Sequence, residues 1–375
     1  MADGIQLALL IGPGLPLPVS QRVLDAVESV EVTSGTDRAG FQITFTTGKN
    51  TPLVTTMIPA GYLDPIVTRV VIIVTLKGLP NVLMDGVITQ QQVSPSNEPG
   101  KSTITVTGED LSVLMDLVEL PKPLPAIPDN VKVMTVLAPY LALGVVPVVI
   151  PPIISLIDIP TSKIKSQPLM TDRAFIQRLA DQCGYVFYVE PGPLPMQSIA
   201  YFGPDIRIPV PQPALNVNMD AHTNVETLSF SLDGMAKKVR IYTVLDPITK
   251  KIPIPIPVPN INAFKPPLGA RPTAPAKIEF AKDVAKERPD EAAKGILGYL
   301  MHNSDAISAS GSLDVLRYGH VLRSRMLAGV RGAGPAYDGL YYVNSVTHNI
   351  KRGEYKQNFQ LSRDGLISNT PRVPL

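Results

Sequence analysis

The residues whose types carry chemistry most readily are four histidines, one cysteine and a few close-set acids and hydroxyls. His222, His302, His320 and His348 are the only imidazoles. No two of them stand at i, i+3 or i, i+4, the spacing that puts two zinc ligands on one helix face. His320 and His348 would meet only if their segments pair as strands, and two ligands do not complete a metal site. Ser162-Lys-Ile-Lys165 has the S-x-x-K spacing of a lysine-activated serine, but two fixed positions in four arise readily by chance and no companion motif accompanies them. Asp283 and Glu287 stand four apart, as paired glycosidase carboxylates would, yet Lys282 and Lys286 lie beside them and make the stretch a salt-bridged helix face. The glycines of Gly329-Val-Arg-Gly-Ala-Gly334 are in the wrong order for a dinucleotide fingerprint and suit a hairpin loop between strands. Zinc-protease, Walker, paired CxxC and nucleophile-elbow patterns are absent from the sequence. The expectation is a non-enzyme with no catalytic, cofactor-binding or metal residues.

The elements that hold these residues are mostly strands. Ala26–Ser34 and Gly40–Thr47 read as two strands around a turn at Gly35–Ala39, the second alternating Phe41, Ile43 and Phe45 against Gln42, Thr44 and Thr46. Val67–Leu76 is β-branched and more fully buried. Leu83–Gln92 follows a turn at Gly78-Leu-Pro80, and Ser102–Thr107 alternates again. Gly108-Glu-Asp110 then opens an expected helix carrying Leu111, Leu114, Met115 and Val118 at helical spacing. After a proline-rich linker, Pro121–Pro128, a short buried helix is expected near Val131–Leu143, followed by an extended apolar strand or loop. A capped helix is expected at Thr171–Cys183, with Gly184 at its C-terminus. Tyr185–Glu190 and Ser198–Phe202 read as strands joined by a turn at Pro191-Gly-Pro193.

From Asn216 the β pattern resumes. Val225–Leu232 and Ala236–Leu245 read as a hairpin across Asp233-Gly234. Ile252–Pro259 has proline at every second position, which excludes helix and central strand and predicts an extended arm. A charged helical stretch follows at Ala276–Met301. Ser312–Tyr318, His320–Met326, Leu340–His348 and Tyr355–Leu361 read as closing strands.

Composition narrows the class. Among 375 residues, hydrophobic types make up 45% and charged types only 18%, fewer than a free monomer ordinarily carries. Low charge points to large buried interfaces. The net charge of +2 gives no reason to expect a stable nucleic-acid partner. The C-terminal part, from Gly311, carries nine basic against four acidic residues, which suits an acidic protein partner at least as well as nucleic acid. Proline is abundant, at 39 residues, and stiffens connections. Cys183 is the only cysteine, so no internal disulfide forms, in keeping with a reducing compartment. The N-terminus has no basic region before its apolar run and no small-residue cleavage site, so no secretory signal is expected. Val133–Ile157 is uncharged and long enough to span a bilayer, but Pro139, Pro147, Pro151 and Pro152 break it, and no membrane span is expected.

The ordered motifs resemble a known family. Tyr318-Gly319, the Gly329–Gly334 loop, Asp338–Val343 (DGLYYV), Val346/His348/Ile350 and Gly353–Arg363 resemble the closing segment of the phage late control gene D family. Met84–Thr89 (MDGVIT) leading to TGEDLSVLMDL, and FIQRLADQCGYVFYVE, agree in the same order. The resemblance extends to the baseplate hub of contractile tails and to the first half of type VI secretion VgrG spike proteins. It implies a mainly β (α+β) fold, with two antiparallel tube-like β-barrel domains, a mixed α/β middle domain and a Pro-rich and helical insertion. The expected boundaries are 1–120 for the first barrel, 121–215 for the mixed domain, 216–250 with 305–375 for the second barrel, and 251–304 for the insertion. It implies a homotrimeric adaptor between a three-fold spike and a six-fold inner tail tube. The implied partners are a separate spike protein, the tube protein, other baseplate proteins and tape measure or cargo in the lumen. The implied place is a virion tail baseplate or injection particle assembled in the bacterial cytoplasm. The alternatives weighed are a tail-tip cell-wall hydrolase and a membrane-active component using 133–157.

Overall fold

The computed structural model describes residues 4–35, 38–48, 51–98, 100–121, 127–152, 169–207, 210–245, 253–258, 265–280, 296, 298–299 and 305–370. The chain opens with β1 (Ile5–Pro13), the two-residue β2 (Leu17–Pro18) and a single-turn helix α1 (Gln21–Leu24). Then come β3 (Val27–Ser34), β4 (Gly40–Thr47), β5 (Thr68–Leu76), β6 (Leu79–Ser94) and β7 (Ser102–Asp110). The middle holds α2 (Asp129–Leu137), β8 (Val145–Val149), α3 (Asp172–Cys183), β9 (Val186–Pro191) and β10 (Ser198–Gly203). Next are β11 (Gln212–Asn216), β12 (Val225–Leu232), β13 (Lys238–Leu245), β14 (Pro253–Val258), β15 (Gly269–Pro272) and β16 (Lys277–Phe280). The chain closes with β17 (Ile307–Asp314), β18 (Leu327–Arg331), β19 (Gly339–Lys351), β20 (Glu354–Arg363) and β21 (Gly365–Ser368).

The fold is mainly β, as expected. The strands from both ends of the chain, however, do not close as two separate barrels: they run as one 13-stranded sheet in the order β12-β17-β20-β19-β3-β4-β7-β6-β5-β1-β2, with β18 and β11 branching from β19. No closed barrel is formed among the described residues. The joint is an antiparallel pairing of β3 with β19, from Ser34↔Val346 to Ser29↔Lys351. One side of this joint alternates Val30 and Val32 against Val346 and Ile350, all buried. The two ends therefore share one core, in which Phe41, Ile43 and Phe45 belong to the same cluster as Tyr355, Phe359 and Leu361. Each fully buried aliphatic or aromatic side chain contributes roughly 1.5–3 kcal/mol, so this shared layer stabilises the joint between the two ends.

The middle unit has its own core. α3 packs Phe175, Ile176, Leu179 and Ala180 against Tyr185, Phe187 and Phe202 of the adjoining strands. Its ends form as the sequence predicts: the Thr171 hydroxyl accepts the Ala174 N–H, and Gly184 closes the helix with φ of 68°. β10 pairs antiparallel with β9 and parallel with β8. The described part of the apolar segment Val133–Ile157, which ends at Pro152, runs through α2, a tight turn over Ala138–Leu143 that ends at left-handed Gly144, and β8. No helix among the described residues is long and apolar enough to cross a membrane.

Several local expectations are corrected. Gly108-Glu-Asp110 does not open a helix: β7 runs through Asp110, whose carboxylate accepts the Ala39 and Ser112 N–H groups and caps a short 3₁₀ turn, Leu111–Asp116. The hairpin across Asp233-Gly234 does not form. β12 pairs instead with β17, 75 residues on at its first contact, Leu232↔Ile307, while β13 pairs with β14 and β16. The Asp233 carboxylate accepts the Met235 N–H in a local turn that ends β12 without reversing it. The proline-rich arm is extended, and it forms the edge strand β14, the one sheet position that tolerates missing N–H donors. Lys277–Phe280, expected as helix, is strand β16. Of the rest of that stretch only residues 296, 298 and 299 are described, and they are helical. The strand expected at Ser312–Tyr318 is β17 up to Asp314, which caps a helical turn, Val315–Tyr318. His320–Met326 is a loop before β18. β1, which pairs with β5 over nine positions, was not anticipated from the N-terminal apolar run.

Candidate assembly interface

The chemistry-bearing residues do not converge on a reaction centre. Ser162, Lys165, His302, Asp283 and Glu287 lie outside the described residues. No group of three metal-ligating side chains occurs among the described ones. His348 is fully buried and serves the fold. The Gln357 amide is oriented by the Leu322 backbone: its oxygen accepts the Leu322 N–H at 3.0 Å and its nitrogen donates to the Leu322 carbonyl at 2.9 Å. The second amide hydrogen then points to His348 Nδ1, 3.1 Å away, and the Tyr355 hydroxyl lies 2.8 Å from the same nitrogen. An amide nitrogen only donates, so Nδ1 accepts and the ring is the neutral Nε2–H tautomer. Burial, with Arg323 nearby, holds the His348 pKa down at about 3.

Buried ion pairs bolt the units together. Arg69 of β5 donates from Nε and Nη2 to the two oxygens of Asp85 in β6, each at 2.7 Å. The same guanidinium donates to the Leu143 carbonyl at 2.8 Å and the Met196 carbonyl at 3.2 Å, and Ser198 adds its hydroxyl to Asp85. This cluster ties the first β unit to the middle unit. Arg207 forms a two-pronged pair with Asp305 at 2.8 Å per bond, and the Ser362 hydroxyl donates to the same carboxylate. Asp205 pairs with Lys265 at 2.6 Å and accepts from the Tyr342 hydroxyl at 2.9 Å; burial pushes its pKa up, and Lys265 and its neighbours bring it net below the usual value. Sequence reading missed these pairs. The signal was present: Arg69 is the lone charge in one apolar strand and Asp85 the lone charge in the next, and opposite charges isolated in neighbouring buried strands need each other.

What remains exposed is a sheet face and its edges. The strands β12-β17-β20-β19-β3-β4-β7-β6 are consecutive in the large sheet. Their core-facing side chains alternate with a second set that forms transverse rows. One row runs Thr227, Ser312, Asn358, Thr347, Thr33, Gly40 and Glu109. A second runs Asp314, Lys356, Asn349, Glu31, Gln42, Thr107 and Gln90. A third runs Glu354, Lys351, Ser29, Thr44, Thr105 and Gln92, and a fourth Ser229, Ser310, Gln360 and Ser345. Hydroxyls meet across strands, as in Thr227–Ser312 at 2.8 Å and Thr33–Thr347 at 3.2 Å.

Both ends of this eight-strand stretch are open. Among the described residues β12 is bonded only to β17. At the other end, the β5–β6 register runs no further than Arg69↔Val87, while the β6–β7 register continues to Ser94↔Thr103. Among the described residues Thr89–Ser94 is therefore bonded on one side alone. Isolated proteins guard such edges with lysine, proline or bulges. Here Thr227–Leu232 and Thr89–Ser94 contain no charge and no proline, each follows a register shift, at Val225/Thr227 and at Ile88/Gln90, and Glu226 is paired with Lys356 at 3.0 Å. The face between the edges is hydrophilic, and the edges are left ready to pair.

No family model matches the sequence, and no curated protein matches it. Solved structures do. A tail protein from Neisseria meningitidis MC58 aligns over 97% of this chain and 98% of its own, with TM-score 0.60 and 14% identity. The 43 kDa tail protein of prophage MuSo2 from Shewanella oneidensis aligns over 96% and 99%, with TM-score 0.61 and 13% identity. The E. coli c3393 protein, a component of the type VI secretion system described as structurally similar to the T4 tail proteins gp27 and gp5, aligns over 93% and 75%, with TM-score 0.51 and 13% identity. The chain thus has the fold shared by phage tail proteins and a type VI secretion component, as the ordered motifs implied.

Proposed function

We propose that the chain is the structural hub of a contractile phage tail baseplate or a related contractile injection system. On this reading it works as a homotrimer that joins a three-fold spike to a six-fold inner tube, and it is not an enzyme. The observation that carries the proposal is the eight-strand stretch with an open edge at each end. A contact from β12 of one copy to Thr89–Ser94 of the next is heterologous, and such contacts close into a ring when the rotation permits. Each copy contributes four strands from its N-terminal part, β3-β4-β7-β6, and four from its C-terminal part, β12-β17-β20-β19. Three copies then present six similar four-strand sets, which is how a three-fold object meets a six-fold one. The two sets are the tube-like units of 1–120 and 216–250 with 305–375. The mixed unit, 121–215, decorates the ring. The exposed Val131, Met134, Leu141, Val146 and Val148 of the mixed unit offer further contact surface to the spike or to other baseplate proteins. Its place is the virion tail baseplate or the equivalent end of an injection particle.

The test is co-expression of the full chain with the spike protein encoded beside it, followed by electron microscopy of the purified complex. The proposal predicts end-on views of a closed ring with an axial hole, and equal numbers of hub and spike chains. Single copies that ignore the spike would overturn it.

A further inference from the structure

The small sheet around the proline-rich arm stands off the 13-stranded path, in the order β14-β13-β16. Its two edges differ. β14 pairs antiparallel with β13 from Val258 back to Pro253. Pro253, Pro255 and Pro257 have no N–H, so the ladder bonds donated by β14 come from Ile254, Ile256 and Val258. The outward positions of β14 are then its prolines, and that edge offers carbonyls alone. A further strand cannot build a full ladder there.

β16 is the opposite case. It runs parallel to β13, from Lys238↔Lys277 to Ile241↔Phe280. The Ala276 N–H donates to the Lys237 carbonyl at 3.0 Å, which fixes the alternation. Ile278 and Phe280 turn their backbone groups toward β13, and Lys277 and Glu279 turn theirs outward. Among the described residues no strand lies on that outward side.

The two faces of this sheet differ as well. Lys238, Arg240, Lys277 and Glu279 share one face, where Glu279 pairs with Lys238 at 3.0 Å, Lys277 at 3.1 Å and Arg240 at 3.8 Å. Hydrogen bonds from Lys238 and Lys277 hold the Glu279 carboxyl down at about 2, so it stays ionised. Three cations against one carboxylate leave a surplus of two positive charges. Tyr299 packs on this face, with the Arg240 guanidinium 4.6 Å from its ring centre. The other face carries Val239, Ile241, Ile278 and Phe280, of which Ile278 and Phe280 are 64% and 68% exposed. A bare phenylalanine and isoleucine on an open edge strand mark an association surface.

We infer that β16 takes up an extended segment of a partner protein as a fourth strand, one whose residues alternate apolar and acidic. The added strand bonds to the outward backbone groups of Lys277 and Glu279. Its apolar side chains lie beside Ile278 and Phe280, and its acids lie beside Lys277. The positive surplus selects this partner over a second copy of β16, which would bring like charge to the edge.

The test uses the full-length chain with short fluorescent peptides as probes and anisotropy as readout. One peptide alternates valine and glutamate, one valine and lysine, and one serine and glutamate. The chain is expected to bind the valine–glutamate peptide and to ignore the valine–lysine peptide. The serine–glutamate peptide should bind roughly tenfold less tightly, because it lacks the apolar contact. Lys277→Pro removes an outward N–H and a cation and should abolish binding. Phe280→Ser leaves the ladder intact, should weaken the valine–glutamate peptide by a similar roughly tenfold factor, and stands in if Lys277→Pro disturbs β16. Equal affinity for any two of the peptides, unchanged binding by Phe280→Ser, or no binding at all overturns the inference. None of these outcomes bears on the trimer, because β16 is bonded to β13 and not to a strand of the large sheet.

Discussion

At the scale of residues, two buried polar clusters decide how the fold responds to pH and to substitution. His348 has a pKa of about 3 in the fold, against about 6.5 in the unfolded chain. Between those values the unfolded state binds a proton that the folded state refuses. Stability is therefore full above about pH 6.5 and falls as the pH drops toward 3, by about 1.4 kcal/mol per pH unit from this group. Urea midpoints at several acid pH values should show this slope, and His348→Gln should flatten it even if it lowers stability at neutral pH. The second cluster is Arg69–Asp85. Arg69→Ala or Asp85→Ala alone strands a buried charge and should cost about 3–5 kcal/mol, whereas the paired change Arg69→Met with Asp85→Leu should cost much less. Thermal melts of the three chains distinguish this from a general sensitivity of the site. The isolated charges that signal this pair are legible in the sequence; the tautomer of His348 is not, because it depends on Gln357 and Leu322 from separate segments.

At the scale of elements, local signals succeeded where the interaction they report is local. The α3 helix formed at its expected span because its cap, its apolar stripe and Gly184 all lie within thirteen residues of one another. β4 formed as its alternation requires. The Asp233-Gly234 hairpin failed because a turn dipeptide only permits reversal. β12 gains more from β17, where Ser229 meets Ser310 and Thr227 meets Ser312, than from the adjoining β13. That contest is settled by distant partners and leaves no mark in a short window. The open edge of β12 yields a prediction at this scale. Successive N–H groups of a strand point to opposite sides, so one of Ser231 and Leu232 donates toward β17 and the other toward the free edge. Ser231→Pro and Leu232→Pro should therefore differ. One should weaken folding by removing a ladder bond, and the other should keep the melting temperature while dissociating the assembly. Circular dichroism melts beside light-scattering masses would show the split; equal behaviour of the two variants would speak against an edge contact.

At the scale of the whole molecule, the joint between β3 and β19 turns two ends of one chain into one surface. Gly35 sits at that joint with φ of 96°, and a Cβ there would lie 2.1 Å from the Asn344 carbonyl oxygen. The position admits no side chain without moving β19. The mainly β class and the order of the motifs were readable in advance, and so was the alternation of hydroxyls along single strands. That those strands lie side by side, and that their polar faces merge into a single hydrophilic expanse with an open edge at each side, was not readable, since register across 300 residues is set by packing in three dimensions. The account stands on that expanse closing into a ring. The measurement that tests it most directly is the solution mass of the purified full-length chain by light scattering over a range of concentrations. The account predicts three times the chain mass, either for the chain alone or within an equimolar complex with its spike. A stable single-chain mass in both conditions would contradict it.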